Sequence, residues 1–353
     1  MKWDDWKYVI AYVAPLAALT GLFVQGIWSW SGIYVGFVLI PVLETIGRRP
    51  IDNFTPEQER SRSLDRLFDW LLYLNIPVLY GLIAYYLVVI RQGGLANYEV
   101  VGMTCSVGLM VGTSGINVAH ELGHRINPRE QLLAKVLLLP ALYMHFFIEH
   151  NRGHHKHVAT PEDPASARLN EPIYLFWIRS VYGSWWNAWK LERKRLRQQE
   201  KSVWSVQNEM VVFQLCQLGY LVVVGLALGW ALVPYAIYVA VFGFLMLESV
   251  NYIEHYGLVR RRTPQGRYEP VGPQHSWNSD HEVGRIFLYE LTRHSDHHFK
   301  ATRKYQVLRH FDESPQLPCG YPTSILMALV PPLWFWRMNR EVVSWREGEL
   351  EKG

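Results

Sequence analysis

Histidines recur along this chain in four short clusters whose spacing suits metal binding. On a helix, side chains four residues apart share a face, about 5–6 Å from each other, so His120 and His124 can reach one ion. Neutral imidazole binds iron, zinc, copper and nickel. Nine of the 14 histidines lie in the clusters: His120, His124, His150, His154, His155, His255, His294, His297 and His298. Nine ligands exceed the set of one tetrahedral zinc ion and predict two metal ions.

The first cluster also fits a different chemistry. His120, Glu121 and His124 match the HExxH pattern of zinc metalloproteases, in which the glutamate is the general base. A membrane zinc protease is therefore an alternative, although it needs only one further ligand and leaves the other clusters unexplained. A metal transporter is a third class. Transporters place ionisable ligands near the middle of their spans, whereas the apolar runs of this chain hold almost none.

Long apolar runs separate the polar stretches that carry the histidines. Half of the 353 residues are hydrophobic and 19% are charged, which excludes a disordered chain and a collagen-like fibre. A bilayer core of about 30 Å needs about 20 apolar helical residues. We therefore predict an all-α integral membrane protein, a single domain over residues 1–353. Its six transmembrane helices would span about residues 8–28, 32–47, 67–90, 98–119, 210–230 and 233–252, with a histidine-rich cap from 120–209 and 253–353.

Basic residues predict the orientation of the spans. Residues 47–66 and 190–201 are rich in arginine and lysine, whereas the short connections hold one basic residue, Arg91. The positive-inside rule then places the cap on the cytoplasmic side, and the first run is a retained span. Residues 132–148 are expected to form a short interfacial or half-buried helix. Residues 326–336 are expected at the interface, because Pro331 and Pro332 would break a helix, with Trp334 and Trp336 among the lipid headgroups.

The clusters, read with their neighbours, resemble one enzyme family. They read HELGHR at 120–125, EHNRGHH at 149–155, NYIEHYGL at 251–258 and RHSDHH at 293–298. These motifs are similar to those of the membrane-bound non-haem di-iron alkane 1-monooxygenases, of the fatty acid desaturase/hydroxylase superfamily, with Arg125 where lysine is usual. Related desaturases share the histidines but lack the third motif, and xylene-type hydroxylases differ in the fourth. The resemblance covers about residues 8–340.

The resemblance implies the chemistry and the residues that serve it. Two iron ions would be held by the nine histidines, without bound flavin or haem. With O2 they would convert medium-chain n-alkanes from the bilayer to 1-alkanols. Hydroxylation of another apolar substrate, such as an alkyl aromatic or a terpene, and desaturation of an acyl chain remain alternatives. From their positions, Glu254 and Asp296 are predicted as catalytic carboxylates. We expect four further residues to support the ligands: Glu121, Glu149, Asp163 and His281.

The electrons must come from another protein, since the sequence has neither a GxGxxG turn before a helix nor a CxxC pair. The resemblance implies rubredoxin, with its NAD(P)H-dependent reductase, and a bacterial inner (cytoplasmic) membrane. Seven basic residues are candidates for binding acidic rubredoxin: Arg193, Lys194, Arg195, Arg197, Arg260, Arg261 and Arg262. Positive-inside topology and contact with membrane lipid headgroups account equally well for them. We expect no nucleic-acid partner.

Overall fold

Helices make up the described part of the chain. The computed structural model describes residues 3–351 and the side chains of residues 5–348, and in this range it has isolated β-bridges but no strand. Six helices are long and apolar enough to cross a membrane: α1 (Asp5–Val24), α2 (Gly26–Ile46), α4 (Arg66–Gln92), α5 (Asn97–Gly123), α9 (Glu209–Leu228) and α10 (Trp230–His255). The prediction of an all-α membrane protein with six spans is confirmed.

Other helices fill the connections and the C-terminal part. They are α3 (Pro56–Leu64), α6 (Pro128–Leu138), α7 (residues 146–157), α8 (Ile173–Gln198), α11 (Glu282–Phe287), α12 (His294–Phe299), α13 (Tyr321–Ala328) and α14 (Pro331–Glu351). Thr55 caps α3, because its hydroxyl accepts the backbone N–H of Gln58 and the Gln58 side chain accepts the N–H of Thr55.

Glycines allow α5 and α10 to approach closely. A Cβ atom on Gly243 would lie 2.5 Å from Cγ1 of Val111, and one on Gly108 would lie 2.7 Å from Cβ of Phe242. Small residues at such crossings permit the close backbone packing that holds membrane helices together. The two helices end in HELGH and NYIEH, so this packing brings two of the histidine clusters to the same depth.

The outer surface of the bundle is apolar, as expected for contact with lipid. Phe23 on α1 is 77% exposed and Leu226 on α9 is 73% exposed. Exposed side chains of this size would favour aggregation in water, whereas they cost nothing in a hydrocarbon environment. The surface therefore fits a bilayer, and the chain is membrane-embedded.

The N-terminal end of α1, the α2–α4 connection and the C-terminal part meet at one end of the bundle. Arg62 forms an ion pair with Asp5 and exchanges hydrogen bonds with Gln306, and Asn53 binds the backbone of His310. Connections at the opposite end are short and turn at glycines in positive-φ conformations, including Gly93 and Gly229. All four histidine clusters lie at the first end, which we call the cap end.

Three spans or cap helices contain a π-helical segment. These segments are Val35–Leu39 in α2, Val111–Asn117 in α5 and His150–His154 in α7. Such segments are rare in proteins, and those that occur often lie at functional sites. Here the first two line the cavities described below, and the third carries two of the clustered histidines.

The prediction for residues 326–336 was wrong in part. Pro331 and Pro332 begin α14 instead of breaking a helix, because proline suits the first helical positions, where no intrahelical N–H bond is lost. Trp334 is fully buried against Tyr252 and Tyr256, so it does not lie among headgroups. Trp336 is exposed. Residues 132–148 fold as the end of α6, a turn and the start of α7.

Candidate metal centre

All nine clustered histidines converge at the cap end of the bundle. They form two groups, in each of which the ligand atoms lie within 4.8 Å of one another. The five-histidine group consists of His120, His124, His150, His155 and His297, and the four-histidine group consists of His154, His255, His294 and His298. Helices α5, α7, α10 and α12 supply them, so each motif contributes through its own helix. The structure therefore brings together every predicted ligand.

The imidazoles of both groups turn their Nε2 atoms toward each other. Nε2 of His120 lies 2.7 Å from Nε2 of His297, and Nε2 of His298 lies 2.9 Å from that of His294. Nε2 of His124 is buried and has no hydrogen-bond partner. A neutral imidazole presents either one proton or one lone pair at Nε2, so Nε2 of His297 cannot form good hydrogen bonds with both His120 and His155, whose Nε2 atoms lie 2.7 and 3.1 Å away. A cation removes this conflict, and the donor set fits ions that prefer nitrogen ligands.

Burial keeps these imidazoles in the neutral form that binds metal. Desolvation lowers the pKa of the cluster histidines outside the spans far below the ordinary value, and neighbouring imidazoles lower it further. This holds for His124, His150, His155, His294, His297 and His298. Protons therefore do not compete for these nitrogens near neutral pH.

Asp163 orients one of the ligands. Its Oδ2 lies 2.9 Å from Nδ1 of His154, and it accepts hydrogen bonds from the Ser166 hydroxyl and the Ala165 N–H. Burial alone would raise the pKa of the carboxyl group, but the interaction with His154 holds the pKa below its ordinary value. Burial would lower the pKa of His154, and the carboxylate raises it instead. Asp163 thus places the proton on Nδ1 and leaves Nε2 to bind metal.

We expect Asp163→Ala to weaken metal binding by the four-histidine group about 10- to 100-fold, as for other residues that orient metal-binding histidines. Competition between the protein and a chelator for Fe(II) measures this loss. Asp312→Ala is the matched control, since its exposed carboxylate contacts His310, outside both groups. Equal affinity in the Asp163 variant and the wild type would contradict the assignment.

Glu254 is the other predicted carboxylate that reaches a cluster histidine. Its Oε2 lies 3.2 Å from Nε2 of His294, and both side chains are buried. Asp296 instead accepts the backbone N–H of Arg309 and pairs with Arg303. Although Asp296 lies between two predicted ligands in the sequence, its carboxylate contacts arginines of the cap instead of an imidazole.

Three other predicted supporting residues contact different partners. Glu149 accepts a hydrogen bond from Asn187. Its pKa is raised to about 8, mainly because the carboxyl group is buried and also because the Asp163 carboxylate is close. His281 contacts the Ser279 hydroxyl. Glu121 accepts hydrogen bonds from Arg125 and from a backbone N–H.

The partners of Glu121 also bear on the zinc protease alternative. A protease of that class needs the glutamate free to activate water. Here Arg125 lies 2.8 Å from the same Oε1 atom that accepts the N–H of Tyr305. His120 and His124 belong to a group of five imidazoles, which fills the positions that a protease leaves to water and substrate.

Two neighbouring apolar cavities lie within the bundle, and the smaller of them adjoins the histidines. The larger lies among α1, α2, α5, α10 and α13, where Phe37, Leu109 and Ile325 form part of its wall. The smaller is lined by His120, His150, His294 and Glu254 as well as by apolar side chains. Four residues line both cavities: Thr113, Met246, Val250 and Leu288. The two cavities are therefore neighbours within the bundle, and the smaller one reaches both histidine groups.

The predicted partner-binding residues lie in two places on the cap. Arg193, Lys194 and Arg197 are exposed near the end of α8, and Arg261 and Arg262 are exposed after α10. The other two serve the fold as well. Arg195 pairs with Glu192, and Arg260 binds the backbone carbonyls of Glu269 and Lys156.

Two contacts of the site were not predicted. The Tyr321 hydroxyl donates to Oε1 of Glu254 at 2.8 Å, and the backbone carbonyl of His275 lies 3.4 Å from Nδ1 of His255. Tyr321 is 67 residues from Glu254 in the chain, and no motif marks it. Only the packing of α13 against α10 reveals the pair.

The fold and the site define an integral membrane protein with two histidine groups that fit metal ions, next to an apolar cavity. The family model for fatty acid desaturases matches residues 96–321. An alkane 1-monooxygenase of Acinetobacter baylyi is 38% identical over 93% of this chain and 80% of its own length. One from Ectopseudomonas oleovorans is 37% identical over 99% of this chain and 88% of its own. The hydroxylase component of a xylene/toluene monooxygenase from Pseudomonas putida is 28% identical over 94% of this chain and 87% of its own length.

The chain therefore belongs to the alkane 1-monooxygenase family, within the fatty acid desaturase superfamily.

Proposed function

We propose that the protein hydroxylates the terminal carbon of medium-chain n-alkanes at a di-iron centre. One observation carries the proposal: an apolar cavity within the bundle is lined by His120 and His150 of one histidine group and by His294 of the other. An n-alkane offers no polar group to recognise, so shape and apolar area must hold it. Transfer of the alkane from water into the bilayer is favourable by about 0.8 kcal/mol of free energy per CH2 group. A path within the bundle then presents the chain end-on, so the terminal carbon arrives first.

The histidine groups would each hold one iron ion. O2 activation is the chemistry that bound iron supplies, so that one oxygen atom enters a terminal C–H bond and the other leaves as water once two electrons and two protons arrive. The protein would orient His154 through Asp163 and exclude bulk water, since most of the nine imidazoles are buried. Apolar walls hold the alkane close to the histidines and position the carbon that reacts.

Rubredoxin is the electron donor that we propose. The exposed basic residues of the cap would attract an acidic protein and speed its association. Two adjoining clefts at the cap surface support entry of electrons near the four-histidine group. One cleft is lined by Asp163 and Arg346, and the other by His275, Arg260 and Arg346. Asp163 and the His275 carbonyl contact His154 and His255, so this surface is one hydrogen bond away from two ligands.

We propose further that the protein lies in the bacterial inner membrane with its histidines facing the cytoplasm. The argument is electrostatic. Residues 47–66 and 190–201, which are rich in arginine and lysine, both belong to the cap end, whereas the opposite connections carry Arg91 alone. Cytoplasmic loops of membrane proteins carry such an excess of basic residues.

Product analysis with labelled oxygen tests the proposed function. The purified protein, loaded with iron in lipid nanodiscs, would receive octane, 18O2, rubredoxin, rubredoxin reductase and NADPH. We expect 1-octanol that contains one 18O atom, and a rate that falls as salt screens the contact with rubredoxin. Octene would indicate a desaturase. Turnover of an alkyl aromatic or a terpene without any octanol would overturn the alkane assignment, and bound zinc in place of iron would overturn the oxygenase.

A further inference from the structure

We propose that Tyr321 is a positioning residue that holds Glu254 as a carboxylate donor to the metal ion of the four-histidine group. The inference rests on the metal centre of the proposed function and not on its substrate. It adds a carboxylate to a site otherwise made of imidazoles, and it gives a role to a tyrosine that lies in none of the four motifs.

The contacts form one chain from the cavity wall to the ligands. The Tyr321 hydroxyl donates to Oε1 of Glu254 at 2.8 Å, and Oε2 of the same carboxylate lies 3.2 Å from Nε2 of His294. Tyr321 and Glu254 are each 1% exposed, so water does not compete for these contacts. Each oxygen of the carboxylate therefore has a different partner. Oε1 accepts the phenol, and Oε2 stands beside an atom that would bind the ion.

A count of donors explains why a carboxylate belongs here. One group has five imidazoles and the other has four, so the two ions would be held unequally by histidine alone. With Glu254 the second group also has five potential donors. Iron in oxygen-activating enzymes is commonly bound by imidazole together with carboxylate. The carboxylate also carries a negative charge, so the two ions become electrostatically different, and the one beside Glu254 is better suited to the higher oxidation state.

Tyr321 is needed because Glu254 would otherwise be free to turn. A glutamate side chain has three rotatable bonds, and the walls around this one include Leu291, Met246 and Val250. Loss of the phenol would leave Oε1 buried without its donor, and the carboxylate would turn to find another. The start of α13 fixes Tyr321 itself, whose ring forms part of the wall of the larger cavity.

Cobalt binding tests this role without any turnover. Apo-protein in detergent would be titrated with Co(II), whose visible absorption reports the number and type of its ligands. The wild type should bind two Co(II) per chain. Tyr321→Phe and Glu254→Gln should each weaken one of the two binding events at least tenfold and change its absorption bands. The double variant should match Glu254→Gln, because the tyrosine acts only through the carboxylate.

The chain offers a matched control. Tyr8 is also buried, and its hydroxyl donates to Oε1 of buried Glu290 at 2.6 Å, in a pair that contacts none of the nine histidines. Tyr8→Phe removes the same kind of hydrogen bond, so its Co(II) titration should equal that of the wild type. Glu254→Gln keeps the test decisive if Tyr321→Phe fails to fold, since it preserves the size of the side chain.

Two results would overturn the inference. One is unchanged Co(II) affinity and absorption in either single variant, and the other is additive losses in the double variant. The outcome is independent of the proposed reaction. If the protein binds Co(II) as expected but forms no alkanol, the carboxylate donor stands and the substrate assignment fails.

Discussion

Replacement of His297 by alanine is expected to lower alkane hydroxylation by at least about a thousandfold, because the two proposed iron ions would act as one unit and loss of either would remove the activity of both. His297 belongs to the five-histidine group, and its Nε2 lies within 3.1 Å of Nε2 of both His120 and His155. Removal of its imidazole breaks the centre of that group. The variant should keep the ion of the four-histidine group and lose the other.

His255→Ala should give the complementary result, since His255 belongs to the four-histidine group. Iron per chain, measured by inductively coupled plasma mass spectrometry, is expected to fall from two to one in each variant. Gas chromatography of 1-octanol gives the activity. The control is His157→Ala, because His157 follows the second cluster but pairs with Glu162 and belongs to neither group. Full iron content and full activity in either cluster variant would refute the assignment of two ions to two groups.

Val250→Phe is expected to change which alkanes the enzyme accepts. Val250 lines both cavities, so a phenyl ring there would narrow the passage between them. A chain that reaches from the larger cavity to the histidines must pass this point. We expect kcat/KM for octane to fall on the order of 100-fold, because its terminal carbon would no longer be placed correctly at the histidines. Butane is short enough to fit in the smaller cavity alone, so its turnover should change little.

Product formation from a series of alkanes between butane and dodecane measures this shift. Val223→Phe serves as the control, because Val223 faces outward on α9 and is 62% exposed. It adds the same volume away from the cavities and should leave the ratio of octanol to butanol unchanged. If that ratio is also unchanged for Val250→Phe, the alkane does not pass between the two cavities.

Apolar length and helical spacing explain why the spans and the convergence of the nine histidines could be predicted from the sequence. An uncharged run of about 20 residues has no favourable place outside a bilayer or a protein core. The nine histidines were predicted because their spacing places them on helix faces near the ends of those runs. Both signals are local, so one sequence suffices to detect them.

The division into two groups could not be predicted in this way. His154 and His155 are adjacent but belong to different groups, and the same holds for His297 and His298. Neighbours on a helix point about 100° apart, so each pair divides between the two groups. Which group each side chain joins depends on how four helices pack, and no spacing rule contains that information.

The carboxylates show the same limit. Glu121 and Glu149 stand next to ligands in the sequence, yet they bind Arg125 and Asn187. Adjacent residues leave a helix in different directions, so proximity along the chain is a poor guide to contact. Asp163 reaches His154 from nine residues away through a turn. Its role was predicted from proximity alone, and the hydrogen bond has its origin in the tertiary structure.

The π-helical segment Val111–Asn117 restricts how the chain length can change. A π-turn holds one more residue than an α-turn, and in α5 it stands between the membrane half of the helix and His120. The wide turn absorbs this extra residue, so loss of one residue within Val111–Asn117 would restore the α-helix and leave His120 and His124 facing nearly as before. Loss of one residue from a regular α-helical part of α5 would instead rotate both histidines by about 100° and draw them back by about 1.5 Å. Chimeras that exchange α5 between relatives must therefore preserve the number of residues between this segment and His120 as strictly as their identity.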